Sequence, residues 1–149
     1  MMRALLALAA LTFSVLPAFA DGWRYNEGPT PLLPKGEILH MISNGAAVFM
    51  CSASKPLTFA VEISYDPHEI KQKYPPQTVT WLVDDTVGDT SRWARQGLDV
   101  LADHQTSEKI AARVRTAKSF VGIRTGKLTS LFDVGGLVGG LDRLAKVCA

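Results

Sequence analysis

The two cysteines of the chain, Cys51 and Cys148, are the residues with the clearest chemistry. One intramolecular disulfide between them would close a loop of about a hundred residues, worth roughly 4–5 kcal/mol in the chain-entropy model. A free thiol and an intermolecular bridge are the alternatives. The absence of a Cys-x-x-Cys pair argues against a redox role. We therefore expect a structural disulfide, which requires an oxidising compartment.

The first 20 residues indicate such a compartment. They combine a positive charge at Arg3, an apolar run over 4–16, a helix-breaking Pro17, and a small-x-small sequence ending at Ala20. This pattern is typical of a signal peptide cleaved before Asp21. A membrane anchor is the alternative, but a transmembrane helix needs about 20 apolar residues and this run is shorter. We expect a periplasmic or secreted protein with no transmembrane segment in the mature chain.

Three aspartates, Asp84, Asp85 and Asp89, lie close together and could suggest a calcium loop. An EF-hand needs ligands at fixed alternating positions and a distal glutamate, and this segment has neither. Aspartate also favours turns, because its side chain bonds to nearby backbone groups. The sequence therefore predicts a turn over 84–89.

The three histidines, His40, His68 and His104, show no metal-ligand spacing. No Gly-x-Ser-x-Gly sequence is present, and a Cys–His nucleophile is excluded if both cysteines are bridged. We therefore predict no catalytic, cofactor-binding or metal-binding residue, no cofactor, and no enzymatic activity. One alternative is an exported enzyme or inhibitor whose site assembles from distant residues such as His68, Glu69 or His104.

Composition then limits the class of partner. Cleavage would remove 20 of the 149 residues and leave 129, which suits one domain. Of the 16 basic residues only Arg3 is lost, so the cleaved chain has 15 basic and 14 acidic residues and a net charge of +1. This balance does not favour nucleic acid, whose binding draws on a large basic excess. We expect an extended entry segment over 21–36, pinned by Trp23 or Tyr25, and one globular domain over 37–149.

Most of the predicted secondary-structure elements are strands joined by hairpins. Asn44-Gly45 separates two apolar runs, which is typical of a hairpin, and residues 57–65 alternate cleanly between apolar and polar. The predicted strands are 37–43, 46–52, 57–65, 78–83, 91–96, 98–101 (a less certain strand pattern), 120–125 and 128–134.

Helical spacing appears in two places. Ile110, Val114, Ala117 and Val121 recur at helical intervals, and Thr106 or Ser107 can cap the start, which predicts a helix over about 106–118. A second helix is predicted over about 135–147.

Four glycines, at 135, 136, 139 and 140, mark the start of the second helix. They favour close packing of that helix on a sheet, and a mobile or partner-facing helix start is the alternative. The order of elements predicts an α+β fold, a mostly antiparallel β-sheet or sandwich with two packed helices.

Residues 46–148 show a recognisable order of features. A strand that ends in cysteine is followed by an acidic turn, a strand with tryptophan, a helix, a glycine-containing junction and a last helix that ends in cysteine. The residues that carry it are Phe49-Met50-Cys51, Val83-Asp84-Asp85, Arg92-Trp93, Ile110-x-x-x-Val114-x-x-Ala117, Leu131-Phe132-Asp133-Val134-Gly135-Gly136 and Leu141-x-x-Leu144-x-x-x-Cys148. This pattern resembles two groups of small bacterial periplasmic proteins, the type VI secretion-associated accessory proteins (VasI/TagO-like) and the invasion-associated locus B-like proteins.

The resemblance implies a disulfide-bonded, non-enzymatic periplasmic domain and carries over no binding residue. Together with the residues, it predicts an exported accessory or binding protein of the cell envelope, whose partner is another envelope or secreted protein. A small-ligand or lipid-binding sandwich is a further alternative, for which an enclosed apolar cavity would be the sign.

Overall fold

The computed structural model describes residues 22–28, 35–42, 45–52, 56–63, 75–126 and 128–148. The predicted signal peptide, His68 and Glu69 lie outside these described residues. Within them the chain forms nine strands and two helices, in the following order. The elements are β1 (Arg24–Glu27), β2 (Gly36–Ile42), β3 (Gly45–Cys51), β4 (Thr58–Ile63), β5 (Gln77–Val83), β6 (Thr86–Gln96), β7 (Asp99–Leu101), α1 (His104–Val114), β8 (Phe120–Thr125), β9 (Leu128–Asp133) and α2 (Leu137–Cys148).

The strands form one antiparallel sheet in the order β1-β2-β3-β4-β7-β6-β5-β8-β9. The short strand β7 joins its two halves, because it pairs with β4 on one side and with the end of β6 on the other. The predicted α+β class, an antiparallel sheet with two packed helices, is confirmed.

Local patterns explain most of the strands. In β4, Phe59, Val61 and Ile63 are buried as the alternation of 57–65 predicted, although Ala60 is buried too. The strand β6 begins earlier than predicted, because Asp84 and Asp85 alone make the turn from β5. A register shift beside Trp81 then lets Gly88 lie against the Trp81 ring, where any Cβ would clash.

A chain of aromatic contacts fills the interior of the sheet. Ring centroids lie 6.0 Å apart for Trp93 and Phe59, 4.5 Å for Phe59 and Phe49, and 5.8 Å for Phe49 and Trp23. Trp23 in turn contacts Phe132 of β9 at 6.4 Å. Because Trp23 directly precedes β1, this contact requires the sheet to curl until its first and last strands meet at one corner.

Both helices pack against this curled sheet, α1 on β4 and β5, and α2 on β1, β2 and β3. Gly140 allows the close approach of α2, because a Cβ there would stand 2.9 Å from Cγ2 of Ile38. The prediction of tight helix-to-sheet packing is confirmed at this glycine, whereas Gly139 faces open space. None of the helices in the described ranges is long and apolar enough to cross a membrane.

The helix bounds differ from the predicted ones by a few residues. The first helix begins at His104, because Asp103 rather than Thr106 or Ser107 is the N-cap: its carboxylate accepts from the Thr106 N–H at 2.7 Å. It ends at Val114, four residues before the predicted end. The second helix begins at Leu137 because Gly135 and Gly136 form a turn, with Gly136 at a φ of 78°.

Candidate functional site

The predicted disulfide joins Cys51, the last residue of β3, to Cys148, the last residue of α2. Their Cα atoms are 5.8 Å apart, an ordinary separation for a bridge. Cys51 is 2% exposed and belongs to the hydrophobic core. The bond therefore fastens the C-terminal end of α2 to the sheet.

A groove of about 440 Å³ lies beside this bridge, between α1 and α2. We call it the helix groove. Most of its lining is apolar: Leu57, Ala111, Ala112, Leu141, Leu144 and Ala145. Leu141 and Leu144 are almost fully buried, whereas Ala112 and Ala145 are exposed. Short alanine side chains on the facing sides of the two helices leave the space that longer residues would fill.

Charged side chains stand at the rim of the helix groove. Glu108 of α1 and Arg115, which directly follows α1, line it, and Arg115 donates to Asp142 of α2 across 2.7 Å. This ion pair links the two helices, but both side chains are largely exposed, so its contribution to stability is about 0–1 kcal/mol. Its main effect is to orient the guanidinium beside the groove.

The exposed faces of the two helices carry more positive than negative charge. Two of the cations rest on aromatic rings, Arg143 at 4.1 Å from the centroid of Tyr25 and Arg113 at 5.7 Å from that of Trp81. The acidic side chains on the two helices are Glu108 and Asp142. The basic ones are Lys109, Arg113, Arg143 and Lys146, with Arg115 at the end of α1.

A smaller depression of about 290 Å³ lies beside α1 and is lined by Trp81 and Arg113, among others. Ala112 lines both this depression and the helix groove. The Trp81 indole Nε1 is buried and has no hydrogen-bond partner among the described residues. Asp89 also lines the depression, so its charge is mixed.

The three predicted turn aspartates have separate roles. Asp84 adopts a φ of 52° in the turn, and its carboxylate accepts from the N–H groups of Lys118, Ser119 and Phe120 at 3.0, 2.8 and 3.2 Å. These hydrogen bonds lower the pKa of Asp84. The turn prediction is confirmed at Asp84 and Asp85, whereas Asp89 lies inside β6.

The histidines that the structure describes lie in different surroundings. His40 is buried, with its ring 5.4 Å from that of Trp23 and 5.8 Å from that of Phe132. His104 is exposed at the start of α1, where its Nδ1 lies 3.1 Å from the Leu57 carbonyl oxygen. No group of three His, Cys, Asp or Glu residues in the described part of the chain could hold a metal ion.

Sequence reasoning did not find the helix groove. Its lining comes from residue 57, from α1 and from the end of α2, and only the packing of both helices on the sheet brings these segments together. The one local signal was the cluster of small residues on the two helices.

No protein-family model matches this chain, and no curated protein or solved structure matches it either. The resemblance to the type VI secretion-associated accessory proteins and to the invasion-associated locus B-like proteins stays a prediction.

Proposed function

We propose that the chain is an exported, disulfide-stabilised, non-catalytic accessory or binding protein of the bacterial cell envelope. It acts by binding another envelope protein in the helix groove. The observation that carries the proposal is the groove itself, an apolar depression between two exposed helices, one of which is fastened to the sheet by Cys51–Cys148.

The shape and lining of the helix groove favour a polypeptide segment. Grooves between packed helices bind partners by accepting apolar side chains spaced along one face of a helix or extended segment. The small residues Ala112 and Ala145 let such a side chain approach the buried floor at Leu141 and Leu144. A binding mode of this kind needs rigid walls, and the disulfide fastens one of them, α2, to the sheet.

The charged residues that line the helix groove, Glu108 and Arg115, balance each other, but the two helices as a whole carry more positive than negative charge, which favours an acidic partner. Lys109 and Lys146 lie on the exposed sides of α1 and α2, and the guanidinium groups of Arg113 and Arg143 are held over aromatic rings. Opposite charges on a partner steer its approach and fix its register more than they raise affinity. We therefore propose a partner segment that combines apolar side chains with Asp or Glu.

Site-specific photocrosslinking in the producing cell tests this proposal. A photoreactive residue at Ala112 or Ala145 should crosslink one envelope protein through a segment that is apolar and acidic. The matched control is Ala94, which is exposed on β6, outside the groove lining.

The purified partner should then bind at least tenfold more weakly to Ala112→Arg than to wild type, with Ala94→Arg unchanged, as measured by calorimetry. Equal crosslinking from positions 94 and 112, or an unchanged Kd for Ala112→Arg, would contradict the proposal. Recovery of a small apolar molecule instead of a protein would favour the ligand-binding alternative.

A further inference from the structure

The two edges of the sheet differ in character. The edge strand β1 is polar, with Arg24, Asn26 and Glu27 along it. The edge strand β9 is uncharged from Leu128 to Phe132, and Leu128 and Leu131 are 51% and 49% exposed. Proteins usually protect such an edge with charges or proline, because it offers unpaired backbone groups to another strand. The sequence of β9 has no such protection before Asp133.

Two hydrogen bonds show which way the backbone of β9 faces. The Trp23 indole N–H donates to the Asp133 carbonyl oxygen at 2.6 Å, so this carbonyl points away from β8. The N–H of the next residue, Val134, donates to the Ser119 carbonyl oxygen, on the β8 side. Residues of an antiparallel strand alternate in the side to which they direct both groups. Thr129 and Leu131 therefore direct their N–H and C=O groups to the outer edge.

An apolar row on the outer face of the sheet runs up to this edge. Val87 pairs with Leu82, Leu82 with Gly122, and Gly122 with Leu131, so the row crosses β6, β5, β8 and β9. A Cβ on Gly122 would lie 2.9 Å from both Leu82 and Leu131, which shows that these side chains converge over the glycine. Val87 and Leu131 are about half exposed at the two ends.

We propose that this edge is a self-association surface, on which β9 of a second copy pairs antiparallel with β9, centred on Ser130. In this register Thr129 of each copy lies opposite Leu131 of the other, and both residues direct their backbone groups across the seam. The two apolar rows then meet at the Leu131 side chains, which become diagonal neighbours within reach of each other.

Self-complementarity favours a second copy over an unrelated strand. The uncharged segment 128–132 can face itself in a two-fold arrangement without bringing like charges together. Trp23 already occupies the Asp133 carbonyl, which stops the pairing at the position where charge appears. The paired segment covers only a few residues of β9, so we expect it to bury less than the roughly 800 Å² per partner of a standard interface. We therefore expect a weak, reversible dimer.

Sedimentation equilibrium tests the dimer with the purified mature protein alone. Wild type should show a reversible monomer–dimer equilibrium between about 10 µM and 1 mM. Leu131→Lys should be monomeric there, because two cations would meet at the seam, and mixing it with Leu131→Glu should restore a dimer. Val87→Lys, at the far end of the same row, is the matched control and should dimerise as wild type does. A monomeric wild type, or a Leu131→Lys variant that still dimerises, would overturn the proposal.

Cysteine crosslinking tests the register. Ser130→Cys places two thiols opposite each other in a pair that is not hydrogen-bonded, where Cα atoms are about 4.5 Å apart and a disulfide can form. Thr129→Cys places them diagonally and should crosslink at least tenfold more slowly. Faster crosslinking through position 129 would refute pairing centred on Ser130. The experiment is independent of the helix groove, so its failure leaves the proposed function standing.

Discussion

Asp84 stabilises the fold in two ways, through its backbone conformation and through the charge of its carboxylate. Its φ of 52° completes the two-residue turn between β5 and β6, and asparagine and aspartate tolerate this left-handed region better than most residues. Its carboxylate then accepts hydrogen bonds from three successive N–H groups, those of residues 118 and 119 and of residue 120 at the start of β8. One side chain thus sets both the hairpin and the path from α1 into β8.

The charge of Asp84 should make stability depend on pH. Because hydrogen bonding lowers its pKa in the folded protein, the unfolded chain binds the proton first as pH falls. The stabilisation by the charge is present above the unfolded pKa of about 3.9 and is lost as pH falls through the lower folded pKa. Asp84→Asn keeps the turn and one acceptor oxygen but removes the charge. We expect wild type to have a higher free energy of unfolding in urea than Asp84→Asn at pH 6, and this difference to be smaller at pH 2.

Asp85 provides the control for this prediction, because it lies in the same turn and is exposed. Asp85→Asn should unfold in urea as wild type does at both pH values. A difference between wild type and Asp84→Asn that stays constant between pH 6 and pH 2 would show that geometry alone accounts for the role of Asp84.

At the scale of elements, α1 and α2 are fixed to the sheet by different means. The first helix is held through Ser107, whose hydroxyl donates to the Asp103 carbonyl at 2.7 Å and accepts from the Phe59 N–H of β4 at 2.8 Å. The second is held by packing at Gly140 and by the bridge at Cys148. The walls of the helix groove therefore depend on a capping network on one side and on a covalent bond on the other.

Removal of the Cys51–Cys148 bridge should weaken the attachment of α2 to the sheet and lower the stability of the protein. Cys148→Ser, and equally Cys51→Ser/Cys148→Ser, should lose roughly 3–5 kcal/mol of the free energy of unfolding, because the bridge spans 97 residues. Urea unfolding measures this loss, and a reductant should lower the stability of wild type but not of the double variant.

Intact-mass analysis of the protein purified from its producing cell without reductant tests the same bond and the predicted cleavage. The mass should correspond to a chain that begins at Asp21 and is two hydrogen atoms lighter than the reduced form. Labelling of either cysteine without reductant would contradict the bridge, and a retained N-terminal segment would contradict the predicted cleavage before Asp21.

Elements with a strong local pattern could be predicted from sequence, and those made by tertiary contacts could not. The alternation of 57–65 predicts β4, and the Asn44-Gly45 signal predicts the pairing of β2 with β3, because neighbours in sequence carry the information. The strand β1 lies among glycines and prolines, and only its pairing with β2 makes it a strand. The same limit hid the helix groove, whose lining comes from distant parts of the chain, and the pairing of β7 with β4.

At the scale of the whole molecule, Trp23 closes the curled sheet. Its indole N–H binds the Asp133 carbonyl at the end of β9, and its ring lies between Phe49 and Phe132 in the interior. Only 8% of the residue is exposed, so Trp23 is buried against the sheet. A second hydrogen bond, from the Trp23 backbone N–H to the Gly135 carbonyl oxygen, holds this residue against the turn that leads into α2.

Substitution of Trp23 should separate the two ends of the sheet before the rest unfolds. Trp23→Phe keeps the ring but loses the bond to Asp133, at about 1–2 kcal/mol, and Trp23→Ala should lose about 3–5 kcal/mol. Trp93→Phe is the control, because its Nε1 bonds Ser91 within β6 and joins no distant elements. Hydrogen exchange should show selective loss of protection in β1 and at Gly135 for Trp23→Phe, and a uniform loss for Trp93→Phe. Unchanged protection of β1 in Trp23→Phe would mean that backbone pairing with β2, rather than the indole, holds the corner closed.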